Sequence, residues 1–540
     1  MTISRFRLPA QRLSRRRFEL APLILVAVVT AGAAYRIVWA LTASAEVLVR
    51  VIPDDAFYYF QVAHNLAGGY GSTLDGIHLT NGYHPLWLLV LWIFAAGGVV
   101  ALDFVRLGLV TAVLLNVVSA LLVYAILKKA TQSVWIGVIG ATIYSFDAVF
   151  WASSLNGLET SLTTCLFLIA CAFWLPVRRL TRGRALALGL ILGALFLART
   201  DTVFFIIVIY LALFIDAYRE AQWSFTLSAF VVSALVISPW LIWNWLVFGS
   251  PVQTSGQALP YVLHELYRLA GNSPLDEFTL GLRYLIAVVI GSSYWLIGGV
   301  AIVASRLTPA EGEPNLRQFL RRLTWLWAAG GGLIVVHTLI RWYPRPWYFD
   351  QLSVLAILMG GGVWSIVSRT PFGHRIAARL WLPGTGARWV RRITMAVVVG
   401  GVALMVYSRN SEFLAEGNYP WQVEMLDAAQ WLRTHLDEKE TVGAFNAGIM
   451  AYFSERRVTN LDGVVNQAAY EAIQRKCLSC FVHDADIHYY VDYDPIMRQE
   501  FKPFWGNAYN PEWRLVAEID RPEVDFRQSI LSVYRLVWSQ

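Results

Sequence analysis

The sequence predicts an α-helical membrane protein of many spans followed by a small extracytoplasmic α/β domain. Of its 540 residues, 57% are hydrophobic and only 15% are charged, and mean hydropathy is +0.50, whereas soluble proteins carry about 25% charged residues. Residues 410–540 hold 12 Lys/Arg and 20 Asp/Glu, while residues 1–409 hold 32 and 17. A basic, apolar part before an acidic, ordinary part indicates a membrane domain at 1–408 and a soluble domain at 409–540. This composition excludes a water-soluble enzyme and a disordered chain, and it argues against a nucleic-acid partner.

The N-terminus predicts a first span that starts in the cytoplasm. Six arginines between Arg5 and Arg17 precede an apolar run from about Leu20 to Leu48. A cleaved signal peptide is the alternative, since Ala43-Ser44-Ala45 resembles a cleavage site. The run is longer than the 7–15 residues of a typical signal-peptide core, however. Because positive flanks stay inside, Asp54 and Asp55 then lie outside.

Further apolar runs predict the remaining spans, giving 11 in total. Basic loops should face the cytoplasm, and Lys128-Lys129 and the Arg-rich runs 178–184 and 369–392 follow this rule. Several runs are shorter than the ~20 residues that a straight span needs. The predicted spans after the first are Ala101–Leu127, Val134–Phe150, Ser161–Val177, Ala185–Ala198, Thr202–Ala217, Phe225–Val247, Leu282–Ala304, Leu323–Ile340, Tyr348–Ser368 and Ile393–Tyr407.

One apolar run, Leu86–Val100, breaks the alternation of sides. If it spanned the membrane, Lys128-Lys129 and every later basic cluster would lie outside. We therefore predict an interfacial or re-entrant helix there. The polar segments of the membrane part and the C-terminal domain then share the outer face, where we expect the functional site.

The C-terminal part alternates helix-like and strand-like runs, which is typical of a small α/β domain. Residues 421–437 predict an amphipathic helix, and a short helix is predicted at Ala447–Tyr452. Cys477 and Cys480 have the spacing of a disulfide, a redox pair or half a metal site, and a disulfide is favoured outside the cytoplasm. The predicted strands are Thr441–Phe445, Arg457–Asn460, Tyr489–Val491, Arg514–Ile519 and Ile530–Val537.

Two adjacent carboxylates, Asp54 and Asp55, follow the first span beside a run of aromatic residues. Ionisable groups near a bilayer cost free energy and usually serve a function. The alternative is helix capping, which stabilises a helix by about 1 kcal/mol. One aspartate could cap, but a second adjacent one is not needed for that purpose. We therefore expect at least one to be catalytic.

The order of these motifs resembles the GT-C glycosyltransferases, and within them the bacterial arabinofuranosyl- and mannosyltransferases of cell envelopes. The acidic pair after the first span and His84-Pro85-Leu86-Trp87 carry the resemblance first. The other matching motifs are Asn156-Gly157-Leu158-Glu159-Thr160, Leu197-Ala198-Arg199-Thr200-Asp201, Phe248-Gly249-Ser250-Pro251-Val252-Gln253-Thr254, Val442–Gly448 and Val458–Asn466. The resemblance implies transfer of a sugar from a polyprenyl-phosphate donor on the outer face, with inversion at the anomeric carbon. The implied acceptor is an envelope glycan, lipid or protein.

Such a transfer needs a carboxylate within about 2.6–3.2 Å of the acceptor hydroxyl to take its proton. Matched carboxylates in the family favour Asp54 as the base, although the sequence alone does not separate it from Asp55. The phosphate that leaves needs positive neighbours, and arginine provides bidentate charge-assisted hydrogen bonds. The outer-face candidates are Arg199, Arg341 and Arg345, although an interfacial belt of Arg, Trp and Tyr explains the last two equally well.

The remaining polar residues each allow two interpretations. Glu159 could hold an acceptor or a metal, or it could stabilise a helix N-terminus. Asp201 could bind substrate or pair with Arg199, and His84 could bind phosphate, move a proton or cap a helix. Asp462 could contact acceptor or form an Asx turn. A divalent metal, Mg or Mn, is permitted by the carboxylates but not required.

Two other classes of protein compete with this hypothesis. A transporter should carry polar residues at mid-membrane or broken helices in repeated halves, and neither pattern is visible. An envelope assembly or sensor protein would leave the Asp54–Asp55 segment unexplained. We therefore predict a multi-pass enzyme of the cell (inner) membrane, in contact with membrane lipid, with a cytoplasmic N-terminus and an extracytoplasmic C-terminal domain.

Overall fold

The computed structural model describes residues 10–176, 180–220, 223–291, 298–300, 302–303, 314–339, 345–370, 400–401, 404–522 and 530–538. The part before residue 404 is helical, and the C-terminal part contains a five-stranded sheet. The labelled helices of the first part are α1 (Ala10–Thr42), α2 (Ala45–Val51), α3 (Asp54–Ala67), α4 (Pro85–Ala96), α5 (Ala101–Thr131), α6 (Val134–Phe146), α7 (Ala148–Leu155), α8 (Thr160–Trp174), α9 (Arg182–Ala198), α10 (Val203–Glu220), α11 (Trp223–Phe248), α12 (Thr254–Leu269), α13 (Pro274–Gly291), α14 (Pro314–Leu339) and α15 (Asp350–Val367).

Six described helices are long and apolar enough to cross a membrane, or seven if the bent pair α6–α7 forms one span. The protein is therefore a multi-pass membrane protein, as predicted. The total of 11 spans stays a prediction, because Leu282–Ala304 and Ile393–Tyr407 lie partly outside the described residues. The six helices are Ala21–Thr42, Ala101–Thr131, Thr200–Arg219, Trp223–Phe248, Asn315–Leu339 and Asp350–Val367.

The apolar run after His84 forms the short helix α4. Its 12 residues extend about 18 Å at 1.5 Å per residue, well below the ~30 Å of a bilayer core. Proline at its first position suits a helix start, where the missing N–H costs nothing. This length agrees with the prediction of an interfacial or re-entrant helix.

Arg36 lies inside the helix bundle. Its guanidinium donates to Asn116 Oδ1 at 2.9 Å and Ser154 Oγ at 2.8 Å, and it lies 5.3 Å from the centre of the Trp151 ring. Only 1% of the residue is exposed. Arg36 therefore joins α1, α5 and α7.

The C-terminal domain is a mixed sheet covered by short helices, which confirms the α/β prediction. Strand order is β2-β1-β3-β5-β4, with β1 parallel to β2 and β3, and with β5 antiparallel to β3 and β4. Cys477 and Cys480 form the favoured disulfide. The elements are α16 (Gln422–His435), β1 (Thr441–Ala444), α17 (Gly448–Ser454), β2 (Arg457–Asn460), α18 (Gln467–Gln474), α19 (Leu478–Asp484), β3 (Tyr489–Tyr493), α20 (Lys502–Trp505), β4 (Glu512–Ile519) and β5 (Leu531–Val537).

Gln422 joins this domain to the start of α3. Its side-chain oxygen accepts from Asp54 N at 2.8 Å, and its amide donates to the carbonyls of Val49 and Ile52. These backbone groups lie between α2 and α3, where helix geometry leaves them without partners. Only 3% of Gln422 is exposed. Its buried side-chain amide therefore binds the backbone at the junction of α2 and α3 and attaches the C-terminal domain to these two helices.

Candidate active site

Helix α3 presents two different faces because successive helical residues point about 100° apart. Asp55 and Tyr59, four residues apart, share the face that points into a cavity. Asp54 and Tyr58 share the neighbouring face, which packs against the C-terminal domain. The rotation of about 100° between consecutive residues thus places the adjacent carboxylates in two environments.

The carboxylate of Asp54 caps helix α17. It accepts from Gly448 N at 3.1 Å and from Ile449 N at 2.6 Å. Burial raises the pKa of Asp54 to about 7, although both N–H groups oppose the shift. Asp54 does not line the cavity, so its position fits the capping alternative, and its catalytic role stays a prediction.

The candidate active site is a cavity of about 220 Å³ between the membrane helices and the C-terminal domain. Asp55 is exposed to this space, and no described residue forms a hydrogen bond with its carboxylate. Most of the polar side chains predicted for the site line the same cavity: Asp55, His84, Glu159, Arg199, Asp201 and Arg345. Arg341 lies outside the described residues, so its predicted role stays a prediction.

Glu159 reaches the cavity because the preceding residues form a tight turn. Gly157 has φ +70, and a Cβ there would lie 3.1 Å from Ala56 Cβ on α3, so glycine permits both the left-handed backbone and the close contact. Asn156 Oδ1 accepts from Leu158 N at 3.0 Å and from the Thr160 hydroxyl at 3.1 Å. The Asn-Gly-Leu-Glu-Thr motif is therefore a turn that delivers one carboxylate.

The carboxylate of Glu159 is bound on two sides and does not cap the helix that follows. Tyr59 Oη donates to Oε2 at 2.8 Å, and Arg199 Nη1 donates to Oε1 at 2.8 Å. Only 3% of Glu159 is exposed. The alternative predicted for Glu159 was stabilisation of a helix N-terminus. Its carboxylate forms no capping hydrogen bond there and instead binds Tyr59 and Arg199.

Arg199 is held by a chain of acidic and aromatic groups. Its Nε and Nη2 donate to the carboxylate of Asp201 at 2.9–3.0 Å, so the alternative pairing considered for Asp201 is present. Asp201 Oδ2 lies 3.1 Å from His337 Nε2, and the Tyr348 ring lies 4.8 Å from the Arg199 guanidinium. With most N–H groups of Arg199 used, it is better suited to organising the site than to binding a phosphate.

His84 is held at the cavity wall by Gln253. Its Nδ1 lies 3.2 Å from Gln253 Nε2, which also donates to the Tyr83 carbonyl, and its Nε2 lies 3.7 Å from Glu159 Oε1. His84 is the N-cap residue of α4, but its side chain forms no capping hydrogen bond. Of the alternatives for His84, the capping one is therefore not realised by the side chain.

The C-terminal domain forms one wall of the cavity through Asn446 and Asp462. Asp462 Oδ1 accepts from Val464 N at 2.8 Å, which is an Asx turn. Its side chain still lines the cavity, so the two interpretations of Asp462 are compatible. This turn packs on Gly82, where a Cβ would come within 2.1 Å of the Val464 carbonyl oxygen.

The carboxylates around the cavity raise one another's pKa. The Asp55 side chain is open to the cavity, but the surrounding protein separates it from bulk water and so raises its pKa; the positive charge of Arg345 lowers this pKa and Glu159 raises it. Burial also raises the pKa of Asp462 to about 7, with a contribution from Asp55. A carboxylate in such surroundings takes a proton more readily than one in water, which suits a general base.

The described residues contain no group of three or more His, Cys, Asp or Glu side chains that could hold a metal ion. Asp54 turns away from the cavity, and Glu159 is occupied by Arg199 and Tyr59. The use of Mg or Mn, which the carboxylates permit, stays a prediction.

Three site residues were not singled out from the sequence. Tyr59 was detectable, because it lies four residues after Asp55 on one helix face. His337 is an ionisable residue in an apolar run, a recognised signal of function in membranes. Gln253 gave no signal of its own, since its role depends on a loop that approaches from another part of the chain.

Comparison with solved structures finds a similar fold in ArnT from Cupriavidus metallidurans. ArnT bound to undecaprenyl phosphate matches with a TM-score of 0.52 and 12% identity over 97% of this chain and 98% of that chain. The apo ArnT structure matches with a TM-score of 0.50 and 13% identity over 94% and 98%. The chain has a GT-C-like fold.

Other comparisons concern the C-terminal domain and more distant structures. Within the GT-C-like fold, residues 413–534 match a family described as a domain of unknown function (DUF8728). The arabinofuranosyltransferase AftD from Mycobacteria matches with a TM-score of 0.41 and 14% identity over 95% of this chain and 42% of that chain. No curated protein matches the sequence.

Proposed function

We propose that the protein is a glycosyltransferase that moves a sugar from a polyprenyl-phosphate donor to a hydroxyl of a cell-envelope glycan, lipid or protein. The observation that carries the proposal is the Asp55 carboxylate, open to a cavity at the junction of both parts of a GT-C-like fold. The undecaprenyl phosphate bound to ArnT supports the donor class. The cavity also contains cationic groups, which suit phosphate binding, and acidic groups, which can accept from hydroxyls.

Asp55 is the general base of the proposed reaction. It takes the proton of the acceptor hydroxyl as that oxygen attacks the anomeric carbon, and the bond from this carbon to the phosphate oxygen breaks. A single displacement inverts the anomeric configuration. The raised pKa of Asp55 favours proton transfer, because a stronger base gains more from accepting the proton.

Arg345 is the proposed partner of the departing phosphate. It lines the cavity, is half-buried, and lies close enough to Asp55 for its charge to affect that carboxylate. Arg199 has a different part in the proposal: it holds Glu159 and Asp201 in place through four hydrogen bonds. Arg341 belongs to the proposed phosphate site by sequence alone.

The reaction is proposed to take place on the outer face of the membrane, with the N-terminus in the cytoplasm. The positions of basic loops support this side. The Cys477–Cys480 disulfide also supports it, because disulfides persist in oxidising compartments. The proposal includes no metal-dependent step, so transfer is expected to persist after dialysis against EDTA.

The test is transfer by purified protein in liposomes, with a panel of polyprenyl-phosphate hexoses and pentoses and an acceptor extract from membranes. A new glycosidic product is expected from one donor, and Asp55→Asn should remove it while the folded protein remains. Movement of the donor across the bilayer without a new glycosidic bond would instead favour a transporter. Full transfer by Asp55→Asn would place the base elsewhere.

A further inference from the structure

A second cavity lies beside the catalytic one and shares Trp347 with it. Its volume is about 570 Å³, within the 300–1,000 Å³ typical of small-molecule sites. Ser153, Asn156 and Asp350 contribute polar groups to its wall. The proposed transfer reaction uses none of them.

Asp350 is a buried carboxylate without a cation of its own. Only 1% of the residue is exposed, and its one polar side-chain partner among the described residues is the neutral Ser153, whose contact falls short of full hydrogen-bond geometry. The Arg199 charge acts on it, but that guanidinium already donates to Glu159 and Asp201. The other charges that act on it are negative, from Asp147 and Glu159.

A buried carboxylate in this state requires a proton or a positive partner, because an isolated charge in a low-dielectric interior is strongly unfavourable. Among the described residues that line the cavity, Glu412 and Glu416 outnumber Arg409. The charge of the cavity therefore favours a cation.

The rest of the lining indicates what kind of cation fits. Trp347, Phe349, Phe413 and Tyr419 line the cavity, and aromatic faces attract ammonium groups. A metal ion would need several oxygen ligands at once, and the described residues contain no cluster of three or more ligand side chains. One carboxylate with aromatic walls suits an organic ammonium group.

We propose that this second cavity binds an organic ammonium group, with Asp350 as its counter-ion. An amino sugar and an ethanolamine headgroup both offer this group, and either fits the volume. The inference rests on the second cavity alone and does not depend on the proposed sugar transfer.

The experiment measures binding to the purified full-length protein by calorimetry, with matched pairs of probes. Glucosamine is compared with glucose, and ethanolamine with ethylene glycol, because each pair differs in the ammonium group. We expect saturable binding of one or both amines and about 10- to 100-fold weaker binding of the neutral partner. Glucosamine binding alone identifies a sugar amine as the source, and ethanolamine binding identifies a lipid headgroup.

Substitution of single aspartates tests where on the protein the amine binds. Asp350→Asn keeps the shape of the side chain and should weaken amine binding about 10- to 100-fold, whereas Asp55→Asn in the neighbouring cavity and Asp484→Asn on the surface should not. Melting curves follow folding: the amine should raise the Tm of the natural protein and leave that of Asp350→Asn unchanged.

Three results would overturn the proposal. Equal binding of glucose and glucosamine would make the cavity a site for hydroxyl groups. Loss of amine binding in Asp55→Asn, with binding kept in Asp350→Asn, would move the amine to the catalytic cavity. Absence of saturable amine binding by the folded natural protein would leave Asp350 neutralised by a proton.

Discussion

Asp54 and Asp55 are consecutive residues of one helix, yet one carboxylate caps another helix and the other faces the cavity. Asp54 accepts two N–H groups of α17, while Asp55 has no such partner among the described residues and faces the cavity. The sequence predicted this division and favoured Asp54 as the base, whereas the proposed reaction assigns that role to Asp55. The distinguishing information is the position of Gly448 and Ile449, nearly 400 residues away.

The two aspartates should respond differently to substitution. Asp55→Asn should lower turnover by roughly 10²–10⁴-fold because it removes the base, with little change in Tm. Asp54→Ala should mainly lower stability, by about 0.5–2 kcal/mol, because a helix cap is lost. Turnover and thermal unfolding of both variants check this, and an inactive but stable Asp54→Ala would reverse the assignment.

The pH profile of transfer should report on Asp55. Its pKa is raised, so the acid limb of activity should lie above the pH of about 3.9 at which an ordinary aspartate titrates. Arg345 lowers this pKa; Arg345→Ala should therefore move the acid limb to higher pH and reduce donor kcat/KM by about 10- to 100-fold. Arg514→Ala, on exposed β4, is the control, and an unmoved limb in Arg345→Ala would contradict the proximity of the two charges.

The contact between the loop before α4 and the turn after β2 requires a glycine at position 82. Gly82→Ala would force the loop away from the Val464 carbonyl, since no Cβ fits at 2.1 Å. We expect a lower Tm and a clear loss of turnover, because His84 and Asp462 then lose their common position. Gly360→Ala on α15 is the matched control, as a Cβ there meets no atom within 4 Å. Equal Tm and equal turnover of the two variants would show that the contact at Gly82 is not needed for stability or activity.

The bounds of the helices and strands were largely predictable from the sequence, but the side-chain contacts between them were not. Hydrophobic runs and strand-like alternation depend on local sequence, so α5, α11 and all five strands were placed close to their observed bounds. The outer-face argument also brought Glu159, Arg199 and Asp201 into one region. What local patterns could not supply is which partner each group takes: Gln253 meets His84 from 169 residues away, and no periodicity encodes such a contact.

For the whole molecule, the prediction concerns sides of the membrane. A reporter fused after Gln540 should be active outside the cytoplasm, because basic loops remain inside. A reporter fused after Gln132, which follows Lys128-Lys129 at the end of α5, is the control and should be active in the cytoplasm. Exchange of the two results would mean that the helix Pro85–Ala96 belongs to a spanning segment.

The hydrogen bond between Gln422 and the start of α3 also determines when, during synthesis, the cavity can be completed. Asp54 leaves the ribosome 368 residues before Gln422, which is roughly 20 to 70 s at usual elongation rates. During that interval the membrane helices emerge while the proposed base still lacks the wall that encloses it. Under the proposed function, the nascent protein therefore lacks activity until its C-terminal domain has folded against the membrane helices, and each molecule becomes active in a single late step.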